Sequence, residues 1–306
     1  MARHSGQGSR FAAHRRTATL RQLLAVEAIG YLVPRSDFTG LVHSVFAQSC
    51  NWVCNDTLLT LCIHRAGDGP TSLRLRPGAA DDLRLVFNVG EPVSARRNRV
   101  RSGLAELGLS CVSVWQPAAP ERLLCPEQVA ANLHFAGVPL AQHRRAQSSI
   151  VDGAGAPVVA ALQKACQALV LEAAEQQIDR LVGWGEGLTP AGDDFLVGLM
   201  AGLDARVPSH AARRFRAGIA AACLARLERT TAISAHYLRL AAGSHYGEPL
   251  IALRNALIGD DRSSAVEATL RRALAVGATS GADAVSGLLA GLAAWFAQPV
   301  PTATMA

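Results

Sequence analysis

Lysine is almost missing from this 306-residue chain, where lysine and arginine together number 30. Lys164 is the only lysine and no Gly-x-x-x-x-Gly-Lys-Ser/Thr occurs, so a P-loop nucleotide site is excluded. Lys164 also lies inside a helical stretch, a poor place for a Schiff-base nucleophile. No Gly-x-Ser-x-Gly elbow and no His-Glu-x-x-His is present, which sets aside those hydrolase and metallopeptidase types. Gly183-x-Gly185-x-Gly187 lacks the rest of the dinucleotide fingerprint and follows no clear strand. The seven cysteines are odd in number, irregularly spaced and without a Cys-x-x-Cys. They read as small buried hydrophobes in a reducing cytosol, not as a disulfide framework. No uncharged apolar run approaches the ~18 residues of a membrane span, and the N-terminus lacks the apolar run of a secretory signal. A cytoplasmic protein is expected.

Aromatics are also scarce, at 5%, while hydrophobic residues make up 50% and charged residues 18%. Such a chain buries a large core built from Ala, Leu and Val, which suits close-packed helices. The net charge of +6 is carried by arginine. Arg3, Arg10, Arg15 and Arg16 make residues 1–20 a disordered basic arm. A second cluster is Arg96, Arg97, Arg99 and Arg101. No basic stripe interleaved with aromatics and no zinc or RNA-binding signature accompanies them, so no nucleic-acid partner is expected. Arginine suits bidentate recognition of carboxylate or phosphate. Arg96 and Arg97 are therefore candidates to face a small anionic substrate, the alternative being a solvated face.

The periodicity changes once along the chain. Residues 41–47, 57–64, 72–75, 83–89 and 109–114 have strand length and β-branched content, separated by turn residues, and residues 126–140 read as a helix. Glycine and proline at residues 152–157 mark a boundary near 155. Beyond it, residues 158–182, 193–205, 210–227, 231–242, 249–258, 263–275 and 282–296 have helical spacing. The expected fold class is α+β, with a sheet-rich domain over residues 21–155 and an almost all-helical domain over residues 156–306.

Chemistry concentrates in residues 183–194, Gly-Trp-Gly-Glu-Gly-Leu-Thr-Pro-Ala-Gly-Asp-Asp, which open a buried helix. Thr189 is placed to cap that helix and Pro190 to begin it. Gly187, Thr189, Gly192 and nearby backbone N–H groups would cradle an anion at the positive helix end. Asp193 and Asp194 fall in the first turn. One reading has them complement the helix dipole at about 0.3–1 kcal/mol each. The other has them catalytic, or holding Mg²⁺ that bridges to a phosphate. No cofactor signature is present otherwise.

A second loop repeats the pattern. Gly277-Ala-Thr-Ser-Gly-Ala-Asp precedes Ala-Val-Ser-Gly-Leu-Leu-Ala-Gly-Leu, so Thr279 matches Thr189, Asp283 matches Asp194, and Gly287 and Gly291 match Gly198 and Gly202. Glycines four apart share one helix face and admit a second backbone. The two helices are expected to pack closely and to bring Thr279, Ser280, Gly281 and Asp283 to the same pocket as the first loop.

The stretch Gly-Glu-Gly-Leu-Thr-Pro-Ala-Gly-Asp-Asp-Phe-Leu-Val-Gly over residues 185–198 resembles the signature of the AllH-type subunit family of oxamate carbamoyltransferase, with Ala191 where the family usually has serine. The later Thr231-x-x-Ser234 and Gly277–Asp283 segments, and His43-Ser44-x-Phe46 with Asn51, are also similar to family features. The resemblance implies ureide catabolism downstream of allantoin, in purine degradation: oxalurate and phosphate yield oxamate and carbamoyl phosphate in a complex with other subunits. With the loop pattern beside it, Asp193, Asp194 and Asp283 are taken as catalytic candidates and Ser234 as one of the substrate-binding residues. Two rivals stand beside it: a stand-alone Mg²⁺-dependent hydrolase using the same aspartates, and a non-catalytic assembly subunit whose glycines serve only packing.

Overall fold

The computed structural model describes residues 22–55, 57–64, 67–146, 149–206, 209–260 and 262–296. The basic arm expected over residues 1–20 lies outside them. The first half consists of β1 (Gln22–Gly30), β2 (Phe38–Val45), β3 (Ser49–Cys54), β4 (Thr57–Cys62), β5 (Ser72–Leu75), β6 (Pro92–Arg96), β7 (Arg99–Ser102), β8 (Ala105–Gly108) and β9 (Ser113–Trp115). Their order is β5-β4-β3-β2-β6-β7-β8-β1-β9, and β5 also pairs antiparallel with β1. Strands β1 to β8 therefore close into a barrel. Strand β9 continues along β1 where β8 ends, opposite Ala28, Ile29 and Gly30. Closure leaves those eight strands without a free edge. Alternate residues such as Leu24, Trp52, Leu59, Leu61, Val100 and Leu107 fill the interior with no exposure.

The second half consists of α1 (Pro126–Ala146), α2 (Ala156–Ala168), α3 (Leu171–Leu181), α4 (Ala191–Leu203), α5 (His210–Leu224), α6 (Ala232–Ala242), α7 (Glu248–Gly259), α8 (Ser263–Leu274) and α9 (Ser280–Phe296). The fold is α+β, as the change of periodicity implies. Helix α1 precedes the glycine- and proline-rich stretch, yet Val129, Ala136 and Leu140 on its inner face join the helical core.

Two apolar stretches behave differently from their pattern. Residues 83–89, of strand-like composition, form a 3-10 turn and loop. Asp82 caps it by accepting the Arg84 N–H, and Leu83 and Phe87 plug the barrel, with the Phe87 ring 6.0 Å from that of Trp52. Residues 158–182, which read as one helix, break at Leu169, whose φ of 56° is left-handed. A straight helix of that length would run ~37 Å and leave half its apolar face bare. Folding back lets Leu162 and Cys166 of α2 share one core with Ala174 and Ile178 of α3.

Helices α4 and α9 lie at the centre of the helical half. Phe195, Leu196, Leu199, Val285, Leu288 and Leu292 have no exposure, the mark of helices apolar on all sides. The two run parallel: Gly198 lies against Ala284 and Leu288, and Gly202 against Leu288 and Leu292. A Cβ on Gly198 would stand 1.8 Å from the Ala284 carbonyl oxygen, and one on Gly287 1.9 Å from that of Phe195. Only glycine permits that approach. The expectation of close packing holds, and its parallel sense places both N-termini at one end.

The halves meet where α6 lies on the outer face of β4. Thr71 hydrogen-bonds His236 at 3.1 Å, Tyr31 hydrogen-bonds His245 at 2.8 Å, and the Glu248 N–H donates to the Asp68 carbonyl at 2.8 Å.

Candidate active site

The loop between α3 and α4 turns on glycines in left-handed backbone, with φ of +77° at Gly183 and +115° at Gly185. A Cβ on Gly183 would lie 2.3 Å from the Arg229 carbonyl, so glycine is required for space as well as for φ. Thr189 does not cap α4. The helix begins one residue later with Pro190 as its cap, whose carbonyl receives the N–H groups of Asp193 and Asp194. The Thr189 hydroxyl instead reaches the Ser280 hydroxyl at 2.7 Å, because the parallel contact sets the N-terminus of α9 beside it. Among the described residues no backbone carbonyl accepts from the N–H of Ala191 or Ser280. Two helix dipoles therefore present positive ends together.

The three aspartates have different surroundings. Asp193 is fully buried; its Oδ1 accepts the Gly183 N–H at 2.9 Å, and its Oδ2 accepts the Ser234 hydroxyl at 2.7 Å and the Thr230 hydroxyl. Three donors hold it in place between the loop and the start of α6. The cap of α6, Thr231, strengthens that tie by donating its hydroxyl to the Leu188 carbonyl at 2.5 Å. Asp283 is also fully buried, and its Oδ1 accepts the Ser149 hydroxyl at 2.8 Å and the Ile150 N–H at 3.1 Å. Its Oδ2 has no partner. Burial pushes its pKa up, against those two bonds and the nearby Arg144. Arg144 pairs with Asp152 at 3.0 Å and donates to Ser286 at 3.3 Å.

Asp194 stands between the two helix starts. Its Oδ2 is buried and unpartnered. Burial pushes its pKa up to about 8, opposed by hydrogen bonding from Ser280 and Thr189 and reinforced by the charges of Asp283 and Asp193. The carboxyl is thus held largely neutral at pH 7, able to donate a hydrogen bond and not repelling an anion.

The structure brings Thr189, Asp194, Ser280 and Asp283 to one end of the α4–α9 pair. Thr279 lies just before them, its carbonyl accepting the N–H groups of Ala282 and Asp283. Gly192 and Gly281 serve packing: a Cβ on either would stand 2.0 Å and 2.3 Å from the carbonyls of Leu181 and Ala273, and their N–H groups donate to Trp184 and Val276. Gly187, at φ +90°, has open space around its Cα. Ser234 faces Asp193 within the fold. Arg96 and Arg97 are not brought to the loops. They sit at the turn of the β6–β7 hairpin, and β7 stands across the closed barrel from β4, the strand that α6 covers. Arg99 and Arg101 pair with Glu106 at 2.5 and 2.9 Å. Sequence reasoning passed over Thr230, Ser149 and Arg144, since nothing local distinguishes them from other polar residues near a helix end.

Asp193 and Asp194, the pair offered as one possible Mg²⁺ seat, stand in different surroundings. Asp193 is surrounded by donors from the loop and α6, whereas Asp194 lies among hydroxyls at the start of α9. Among the described residues no three His, Cys, Asp or Glu side chains cluster to hold a metal. None of the described helices is long and apolar enough to cross a membrane.

Residues 181–292 match the family model described as oxamate carbamoyltransferase subunit AllH, and residues 20–114 match that of the AllH family N-terminal domain. The first match spans both glycine loops; the second spans the barrel. Nothing matches among curated proteins or among solved structures.

Proposed function

Because the chain belongs to the family of the oxamate carbamoyltransferase subunit AllH, we propose that its paired helix N-termini bind a small anion of that reaction and that Asp194 acts there as a proton donor. The observation that carries this reading is the buried, unpartnered Oδ2 of Asp194 between two parallel helix starts. The anion is carbamoyl phosphate, oxamate or oxalurate, cradled by the N–H groups of Ala191 and Ser280 and the hydroxyls of Thr189 and Ser280. The setting is the cytoplasm, in ureide breakdown, with the other subunits of the complex as partners.

In that reaction a phosphate oxygen attacks the carbamoyl carbon of oxalurate. The bond from that carbon to the oxamate nitrogen breaks, and the nitrogen must gain a proton as it leaves. A carboxyl group with a pKa near the working pH suits that transfer. Asp194 gives the proton to the nitrogen and regains one from the attacking phosphate, so atoms and charge balance. Asp283 supports the step by position: its carboxylate raises the proton affinity of Asp194. Asp193 holds the loop and takes no part in the chemistry.

The test is carbamoyl phosphate formation from oxalurate by the reconstituted complex. Asp194→Asn should lower the rate on the order of 100-fold, equivalent to about 2.7 kcal/mol, with thermal unfolding little changed. Near-normal turnover by a folded, assembled Asp194→Asn variant would overturn the catalytic reading and favour an assembly role.

A further inference from the structure

The contacts between α4 and α9 are mirrored. A Cβ on Gly198 would meet the Ala284 carbonyl and the Leu288 nitrogen, and one on Gly287 the Phe195 carbonyl and the Leu199 nitrogen. Gly202 and Gly291 repeat the exchange one turn on, the first against Leu288 and Leu292, the second against Leu199 and Leu203. An approximate two-fold axis therefore runs between the helices, parallel to both. It exchanges Asp194 with Asp283 and Ala191 with Ser280, so the two carboxyls stand at one height on opposite flanks of the gap between the helix starts. Residues 185–188 and 275–279, which lead into the two helices, are exposed, so the gap opens to solvent at that end.

Only one half of the Asp283 carboxyl is held. Its Oδ1 accepts the Ser149 hydroxyl at 2.8 Å and the Ile150 N–H at 3.1 Å, whereas its Oδ2 is buried with no partner. The Ile150 N–H is fixed in turn: its side chain is buried, and a Cβ on Gly155 would stand 2.5 Å from its Cγ1 and its carbonyl oxygen. A backbone N–H can only donate. Oδ1 is therefore committed to the segment after α1, and Oδ2 is a buried acceptor that stays costly until a donor reaches it. The rest of the proposed site is rich in donors, namely the N–H groups of Ala191 and Ser280, the hydroxyls of Thr189 and Ser280, and Asp194 on the opposite flank.

Resting on the anion site proposed above, we infer that Asp283 is a specificity-determining residue of that site: Ser149 and Ile150 hold its Oδ1, so its Oδ2 accepts an amide N–H of the ligand and selects anions carrying a primary carboxamide. The helix starts supply donors for the anionic end. The Thr189–Ser280 hydroxyl bond, 2.7 Å long, bridges the helices one turn nearer the open end than Asp283. Both hydroxyls turn to the anion as it binds, and the parting of that bridge admits the amide end to Oδ2. A second carboxylate in the amide position has no proton to offer and leaves that acceptor unpaired.

The experiment is calorimetric titration of the full chain with oxamate and with its dicarboxylate counterpart, oxalate. The wild-type protein should bind oxamate the more tightly. In Asp283→Asn the Ile150 N–H requires the amide oxygen to face it, so the variant keeps both Oδ1 bonds and exchanges only the free oxygen for an NH₂ donor. It should weaken oxamate about 10-fold, the size expected of a hydrogen bond to a charged group, strengthen oxalate so that the preference is lost, and keep the unfolding temperature. Ser149→Ala leaves Oδ1 one donor and lets the carboxyl swing; it should narrow the preference while still binding oxamate, and it decides the matter alone if Asp283→Asn does not fold. An unchanged preference in the folded variants, with Ser280→Ala still weakening both anions, would overturn the role of Asp283 alone. Failure of the wild-type chain to bind either anion would overturn the anion site, and the inference with it.

Discussion

The hydroxyls of Thr189 and Ser280 lie 2.7 Å apart although the residues are 91 positions apart in the chain. They meet because α4 and α9 touch backbone to backbone in parallel, through Gly198, Gly202, Gly287 and Gly291. Two loops of similar sequence thereby become two sides of one site.

That contact makes its glycines intolerant of a methyl group. Gly198→Ala would place a Cβ 1.8 Å from the Ala284 carbonyl oxygen in the centre of the helical core. It should cost about 3 kcal/mol or prevent folding, the upper range for overpacking against backbone. Gly137→Ala, in α1 with nothing within 4 Å, should instead stabilise by roughly 0.5–1 kcal/mol through helix propensity. Denaturant unfolding of the two variants checks the contrast; equal effects would count against the close contact.

The adjacent aspartates should separate by readout. Asp193→Asn places an amide donor among the Gly183 N–H and the Thr230 and Ser234 hydroxyls, so it should lose about 1–3 kcal/mol of stability. Asp194→Asn relieves a buried carboxyl and should keep or raise stability at neutral pH while losing activity. Urea midpoints measured beside turnover distinguish the two, and a reversed order would contradict the assignment of roles.

Stability should respond to pH chiefly through Asp194 and His236, which act with opposite sign, while Asp283, also raised by burial, adds to the Asp194 slope. Asp194, raised from 3.8 to about 8, binds its proton more tightly when folded, so stability falls as pH rises from about 4 to about 8. His236, lowered from 6.5 to about 4 by burial and then by Arg239, binds its proton less tightly when folded, so stability is lost as pH falls from 6.5 to about 4. The Asp194 and His236 slopes oppose each other below pH 6.5, and above it His236 no longer contributes. Asp194→Asn should flatten the fall between pH 6.5 and 8 and unmask the rise between pH 4 and 6.5. Unfolding free energies at pH 4.5, 6.5 and 8 decide this; a wild-type slope that survives Asp194→Asn would place the titration elsewhere.

The arginine hairpin should be silent. Arg96 and Arg97 lie across the barrel from the face that α6 covers, and the Arg97 N–H is held by Asp37 at 3.2 Å. The double variant Arg96→Ala, Arg97→Ala should bind oxamate as the wild type does. A loss of affinity beyond about 3-fold would show that the hairpin reaches the ligand, since effects of that size correspond to roughly 0.6 kcal/mol, more than a distant exposed pair contributes.

The sequence by itself determined what depends on local pattern. Helical spacing beyond residue 155 defined α4 to α9, and apolar runs with turn residues marked the first half as sheet. The repeated Thr, Asp and Gly positions identified α4 and α9 as a related pair before any contact was known, because glycines four apart mark a face open to another backbone. The motif over residues 187–194 pointed to the family and to the site. The tertiary structure decided what depends on partners distant in the chain. Closure of the barrel needs β5 to meet β1, and no local feature of either strand encodes that pairing. The break at Leu169 follows from burying both faces of a helical hairpin. Asp193 and Asp194 are the same residue type at neighbouring positions of one helix, and only their surroundings part them: helix geometry turns one towards Thr230 and Ser234, and the other into the gap beside α9, where burial raises its pKa.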